Sequence, residues 1–303
     1  MNGRFAPSPT GRLHVGNLRT ALLAWLFARS SGSDWYLRIE DLDPNASRPE
    51  HEQAQCRDLL AIGLAWDGVV IRQSERRALY DEAIAHLTAA GLTYECYCTR
   101  KEIHAAAQAP NGPQPDGAYP GTCRELSEQS RNRRRDAGRR PALRLRASSE
   151  VVTIVDRQLG PYTATIDDFV LQRSDGVAAY NLAVVVDDAA QHVDEVVRGD
   201  DLLASTPRQV HLARLLTLVP PAYAHVPMVL APDGARLAKR HGAVTLADRA
   251  TRGETPMQVL AVIAASLGLC TLDEPLAGPR DLLERFEPAS LPRDAWTVPA
   301  EWL

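Results

Sequence analysis

Arg4-Phe5-Ala6-Pro7-Ser8-Pro9-Thr10-Gly11-Arg12-Leu13-His14-Val15-Gly16-Asn17 is the stretch on which the fold turns. A short strand carrying Phe5 stops at Pro7, and a Pro/Gly-rich loop follows. A helix pattern then runs from about Asn17 to Arg29 through Leu18, Ala21, Leu22, Trp25 and Leu26, with Gly32 as its stop. A helix N-terminus opening onto such a loop carries free backbone N–H groups and the positive end of a dipole, so it is a ready anion site. His14 can donate to a phosphate oxygen. Gly16 has no Cβ, which lets a flat base or ribose lie against the backbone. The bland alternative is a capped helix with a satisfied His14.

Outward from this loop, strand and helix signals alternate. Trp35, Leu37 and Ile39 point one way and Glu40 the other. Ser47-Arg48-Pro49 opens a helix ending near Gly63, with Cys56, Leu59, Leu60 and Ile62 as its stripe. A third helix follows Ser74 and uses Leu79, Ala83 and Leu87 as far as Gly91. Such alternation predicts an α/β fold with a parallel sheet. The rhythm breaks from about residue 94 to 165, which reads as an insertion. It returns with a strand at Phe169 to Arg173 and a buried strand at Leu182 to Val186, bounded by Asp187-Asp188. A helix follows near Thr206-Pro207, with Thr206 as its cap. The expected division is a catalytic domain over 1–242 and a small helical region over 243–303.

A second candidate segment, Arg236-Leu237-Ala238-Lys239-Arg240-His241-Gly242, follows the apolar strand Val226 to Leu230 and the turn Pro232-Asp233-Gly234. Lys239 is one of two lysines in the chain. Its mobile ammonium suits the charge that develops on transferring phosphates. Taken alone, such a charge run is usually a solvated face.

The net charge of −4 gives no global sign of nucleic-acid binding, but nine arginines fall between Arg124 and Arg146. They read either as a solvated face or as a surface for RNA. Two prolines after Arg4 exclude a secretory h-region, and the longest apolar run, Val259 to Cys270, is too short to span a bilayer. A cytoplasmic location is expected. The five cysteines do not form a disulfide framework. Cys96 and Cys98 lie on one face of an extended stretch, and Cys123 follows a Pro/Gly-rich loop. Three thiols point to zinc, which takes four ligands. The fourth is Tyr119, His104 or water, and ligand chemistry alone favours His104. Cys56 and Cys270 are expected in the core.

The early loop resembles the HIGH motif of class I aminoacyl-tRNA synthetases, and Arg236 to Arg240 resembles their KMSKS loop, with Ala238 where Ser is usual. Arg-Phe-Ala-Pro-Ser-Pro-Thr-Gly, Arg-Ile-Glu-Asp-Leu-Asp at 38–43, and the stretch Asp168 to Arg208 with Val-Val-Arg-Gly-Asp-Asp-Leu are similar to the glutamyl/glutaminyl branch. The resemblance covers about residues 1–250. It implies a Rossmann-like catalytic domain with a zinc-binding insertion. It also implies a glutamate site of Arg4, Ala6, Ser8, Glu40, Tyr180 and Arg198, with Arg4 and Arg198 reading carboxylate, Glu40 the α-ammonium and Tyr180 adding a hydrogen bond. The implied ATP site comprises Pro7, Thr10, Gly11, His14, Gly16, Asn17, Arg236, Lys239 and Arg240, with His14 and Lys239 as the catalytic pair and Mg²⁺ entering with ATP. For the zinc set, the resemblance favours Tyr119 beside Cys96, Cys98 and Cys123.

Only about 60 residues follow Gly242, too few for the anticodon-binding domain of that branch. The layout is thus similar to its truncated paralogue group, the glutamyl-queuosine tRNA(Asp) synthetases. That resemblance implies transfer of activated L-glutamate to queuosine in the anticodon stem-loop of tRNA(Asp), with no membrane partner and a monomeric enzyme. The alternatives are a short synthetase charging the 3′ end of tRNA(Glu), and an inactive zinc-containing RNA-binding paralogue. The first is disfavoured by the short C-terminal region, the second by motifs intact except at Ala238.

Overall fold

The structure, a computed structural model, describes residues 1–99, 101–103, 119–237, 242 and 244–303. His104, Ala238, Lys239 and Arg240 lie outside the described residues.

Strand β1 (Gly3–Phe5) pairs in parallel with β2 (Trp35–Ile39), and β2 with β3 (Ile71–Arg72). Between them run helices α1 (Val15–Ser30) and α2 (Pro49–Ala61), and α3 (Arg77–Ala89) follows. Helix α1 is apolar on nearly every side because it is buried on nearly every side, with Leu18, Leu22, Trp25 and Leu26 all in the core. Helix α2 starts on Pro49, whose fixed φ suits a first position, with Glu50 and Glu52 at the positive end of the dipole. Its expected stripe is only partly inward: Leu59 and Ile62 are buried, but Leu60 faces solvent. In α3 Leu87 is buried and Leu79 exposed, with Tyr80 taking the inward place.

The insertion is antiparallel. Strands β4 (Thr93–Cys96) and β5 (Ala142–Leu145) pair, β6 (Val151–Asp156) and β7 (Gly160–Thr165) form a hairpin, and β8 (Val170–Gln172) joins β5. Helix α4 (Glu128–Asp136) has no buried residue and carries four arginines. Most of the arginine cluster is spent on ion pairs: Arg124 with Asp168, Arg131 with Glu128, Arg135 with Glu95, Arg139 with Glu102 and Arg146 with Glu125.

Residues Leu182 to Val186 are helical, contrary to the strand expected. They lie in α5 (Tyr180–Ala190). A short apolar run reads equally as a buried strand or a buried helix segment. Here Asp187 and Asp188, expected to bound the strand, continue the helix and are buried because arginines meet them. The chain returns to the parallel sheet in β9 (Glu195–Gly199), then α6 (Thr206–Leu215) and β10 (Ala222–Val226), which pairs with β9. The N–H groups of Asp194 and Glu195 donate to Asn2 O, which sets the β9–β10 ladder beside β1. The expected strand Val226 to Leu230 is broken at Pro227-Met228, and β11 (Val229–Leu230) pairs with β12 (Trp296–Thr297) instead.

Helices α7 (Leu246–Thr251) and α8 (Pro256–Ala265) follow. The C-terminal stretch packs into the core around α1 through Val259, Ile263 and Leu282, while α3, α5 and α6 share a second core. Cys56 and Cys270 are only partly buried at the edge of the first core. Among the described residues no helix is long and apolar enough to cross a membrane.

Candidate active site

The ends of β1, β2 and β9 and the loop before α1 surround one cleft of about 830 Å³, the usual ligand position beyond the carboxyl ends of parallel strands. It brings together Arg4, Ala6, Pro7, Ser8, Thr10, Gly11, His14, Gly16, Asn17, Glu40, Tyr180, Arg198 and Arg236.

The loop is held from behind by Gln55, a residue that the sequence reading did not single out. The Gln55 side-chain N–H groups donate to Ser8 O at 3.0 Å and Gly11 O at 2.7 Å. His14 is the N-cap of α1: its Nδ1 accepts from the Asn17 N–H, and the Asn17 side chain accepts from the His14 N–H. Capping and phosphate recognition are therefore compatible, because a neutral ring whose Nδ1 accepts carries its proton on Nε2. The expected free N–H groups at this helix start are fewer than anticipated. Val15 N–H donates to Val244 O and Asn17 N–H to His14, which leaves Gly16 as the donor of the first turn. A Cβ at Gly16 would press on the His14 ring and Val229 rather than on open cleft space. At Gly199, where β9 ends, a Cβ would fall 2.7 Å from Asp201 Oδ1 and 2.9 Å from Met228 Sδ. Arg236 is held by Asp201 at the edge of the cleft.

Charge decides what the inner end of the cleft can accept. Arg38 is fully buried and meets Asp188 at 2.7 Å and Glu40 at 3.4 Å, with Asp187 at 3.8 Å. Arg4 meets Asp188 at 3.3 Å, and Arg76 meets Asp187 at 2.6 Å. Three arginines thus face three carboxylates. Burial pushes the Glu40 carboxyl up, against the pull of Arg38 and Arg4, and an added cation beside it would favour its ionised form. Burial would also raise the Asp188 carboxyl, but Arg38 and Arg4 override it and hold it below the usual range.

Arg198 is different. Its side chain is buried, yet no carboxylate of the described residues lies within ion-pair distance. Its neighbours are neutral: Nε donates to His225 Nε2 at 3.1 Å, Nη2 to Thr206 Oγ1 at 2.8 Å and Nη1 to the Tyr180 hydroxyl at 3.2 Å, with the Tyr223 ring 5.3 Å away. Thr206, expected as a helix cap, serves as an acceptor for Arg198; the cap of α6 is Ser205. A buried unpaired cation is costly unless an anion meets it. The cleft therefore offers a buried guanidinium at Arg198 and a mostly buried carboxyl at Glu40.

The profile of the family "tRNA synthetases class I (E and Q), catalytic domain" matches residues 1–274. The chain belongs to the class I glutamyl/glutaminyl tRNA synthetase family. Its α/β parallel-sheet fold is that of this family, whose members are ligases. A Nocardia farcinica protein called glutamyl-Q tRNA(Asp) synthetase is 62% identical over 98% of this chain and 92% of its own length. A Geobacter sulfurreducens glutamate–tRNA ligase is 41% identical over 93% of this chain but 60% of its own length. Among solved structures, a glutamate tRNA ligase from Elizabethkingia meningosepticum, in complex with its amino acid, superposes with a TM-score of 0.84. It is 25% identical, over 99% of this chain and 67% of that one.

Outside the cleft of this class I chain, Cys96, Cys98 and Cys123 bring their sulfurs within 4.8 Å of one another. The Tyr119 hydroxyl lies 3.2 Å from Cys96 Sγ and 3.5 Å from Cys98 Sγ. Hydrogen bonding with Cys96 lowers the Cys123 thiol to about 6, while the same bond and burial raise Cys96 to about 12. A soft set of three sulfurs and one oxygen suits zinc.

Proposed function

We propose that this synthetase activates L-glutamate with ATP and passes the glutamyl group to queuosine in the anticodon stem-loop of tRNA(Asp). The observation that carries the reading is Arg198, a buried cation at the cleft with no carboxylate of the described residues in ion-pair range, in a cleft that also holds the mostly buried Glu40 carboxyl. The Nocardia farcinica relative supports the choice of acceptor by its name and by its match over 92% of its length.

Arg198, and secondarily Arg4, take the side-chain carboxylate of glutamate; Glu40 takes the α-ammonium and Tyr180 a further hydrogen bond. The α-carboxylate oxygen then attacks the α-phosphorus of ATP. The bond from that phosphorus to the bridging oxygen breaks, and pyrophosphate leaves with the electron pair. No enzyme nucleophile is needed, so the protein supplies position and charge. His14 Nε2–H and the Gly16 N–H face the phosphates, Pro7, Thr10, Gly11 and Asn17 shape the nucleotide side, and Arg236, Lys239 and Arg240 meet the departing pyrophosphate. Mg²⁺ enters as the counter-ion of the nucleotide. A queuosine hydroxyl then attacks the acyl carbon, AMP leaves, and the hydroxyl proton passes to the leaving phosphate or to solvent. Cys96, Cys98, Cys123 and Tyr119 would hold one structural zinc that staples the insertion. In this reading the enzyme acts as a cytoplasmic monomer.

Glutamate-dependent ATP–pyrophosphate exchange without tRNA tests the activation step. Lys239→Ala is expected to abolish exchange with the fold intact; undiminished exchange contradicts its role.

A further inference from the structure

The side chains behind Arg198 form a relay that ends in the insertion. Asp156 closes the turn between β6 and β7: its Oδ1 accepts the N–H groups of Gln158 at 2.9 Å and Leu159 at 3.0 Å. The same carboxylate receives His225 Nδ1–H at 2.6 Å and the His225 backbone N–H. Asp156, His225, Thr206 and Arg198 are all buried, and His225 is fully so. With Nδ1–H given to Asp156, the Nε2 lone pair of a neutral ring is turned toward Arg198. His225 Nε2 and Thr206 Oγ1 lie 3.1 Å apart, and together they accept the Nε and Nη2 edge of the guanidinium. Five N–H groups less the three engaged by His225, Thr206 and Tyr180 leave two, one on each terminal nitrogen. That is the pair a carboxylate takes in a fork.

We propose that Asp156 and His225 are positioning residues that fix the plane of Arg198, so that a hairpin of the insertion sets recognition of the ligand's carboxylate. The inference rests on the reading of Arg198 as the carboxylate partner of glutamate. A neutral His225 is essential to it: an imidazolium would point an N–H at a guanidinium N–H. Burial lowers the His225 pKa despite Asp156, in keeping with a neutral ring. The neutral partner also leaves the full charge of Arg198 for the ligand, whereas Arg4 shares Asp188.

Two histidine variants separate the ends of the relay. His225→Asn keeps a group at the Nδ1 position and loses the acceptor for Arg198; His225→Gln keeps an acceptor near the Nε2 position. In ATP–pyrophosphate exchange on full-length, folded protein, His225→Asn is expected to raise the KM for glutamate roughly 30-fold, the loss of one hydrogen bond to a charged group. The KM for ATP and kcat should stay within about threefold, and His225→Gln should recover most of the loss. A merely structural role would lower folded fraction and kcat without this split. An unchanged glutamate KM in His225→Asn overturns the proposal. Long-range proton–nitrogen NMR at neutral pH, with the His225 signal identified by its absence in the variant, should show a neutral ring protonated on Nδ1. Asp156→Asn should weaken that preference without removing the residue itself. An imidazolium, or a proton on Nε2, refutes the relay. Wild-type protein that binds no glutamate but shows the Nδ1 tautomer refutes the glutamate reading and leaves the relay's geometry supported.

Discussion

Arg4 Nε lies 3.3 Å from Asp188 Oδ1, with both side chains about 5% exposed. The same oxygen meets Arg38 at 2.7 Å, so one carboxylate neutralises part of two buried cations. Asp188→Asn leaves both guanidinium groups short of a counter-charge and should destabilise the fold by about 3–5 kcal/mol, measured by urea unfolding at neutral pH. Because Arg38 and Arg4 hold the Asp188 carboxyl below its ordinary range against burial, its contribution is full above the unfolded value of about 3.9. It is lost as pH falls through the depressed folded value. The gap between wild type and variant should therefore close only in strong acid.

Among the described residues Arg198 has no such partner, so its substitution should be read in binding more than in stability. Lys keeps the charge but cannot present two parallel N–H groups or fill the edge held by His225 and Thr206. Arg198→Lys should raise the KM for glutamate by about 100-fold, or roughly 3 kcal/mol, and leave the KM for ATP unchanged. Steady-state exchange kinetics measure both; an equal rise in the two KM values contradicts the assignment.

Much of the cleft was legible in the sequence, because the strand, the Pro/Gly loop and the helix beginning at His14 are local features. The zinc-type cluster was legible too: its thiols lie close in sequence, and the geometry brings the Tyr119 hydroxyl among them. The relay behind Arg198 was not. Asp156 and His225 are 69 residues apart, and no periodicity links a hairpin turn to a buried strand. Leu182 to Val186 misled for a related reason. Asp187 and Asp188 looked like the boundary of a strand, and Arg38, Arg4, Arg76, Gln73 and Tyr80, folded from elsewhere, make them tolerable inside a helix.

Asp58 should respond to pH in the opposite sense to Asp188. Burial raises its carboxyl to about 6 against the Arg12 and Arg57 charges, and its Oδ2 has no hydrogen-bond partner. A raised folded pKa contributes stability below the unfolded value that is lost as pH rises through about 6. Asp58→Asn should match wild type near pH ~4 and exceed it by about 1–2 kcal/mol near pH ~8. Thermal unfolding across that range checks it, and a constant difference speaks against it.

Elemental analysis of the purified protein should find about one zinc per chain, and Cys96→Ser should lose it. Chelation should lower the Tm and expose the segment from Tyr119 to Leu145 to protease. Metal-free protein whose Tm ignores chelator contradicts a structural zinc.

The central claim is tested most directly by transfer of labelled glutamate, with ATP, to aspartate tRNA carrying queuosine, to aspartate tRNA lacking it, and to glutamate tRNA. Label is expected only on the queuosine-containing aspartate tRNA; label on the 3′ end of glutamate tRNA, or on none of the three, contradicts the account.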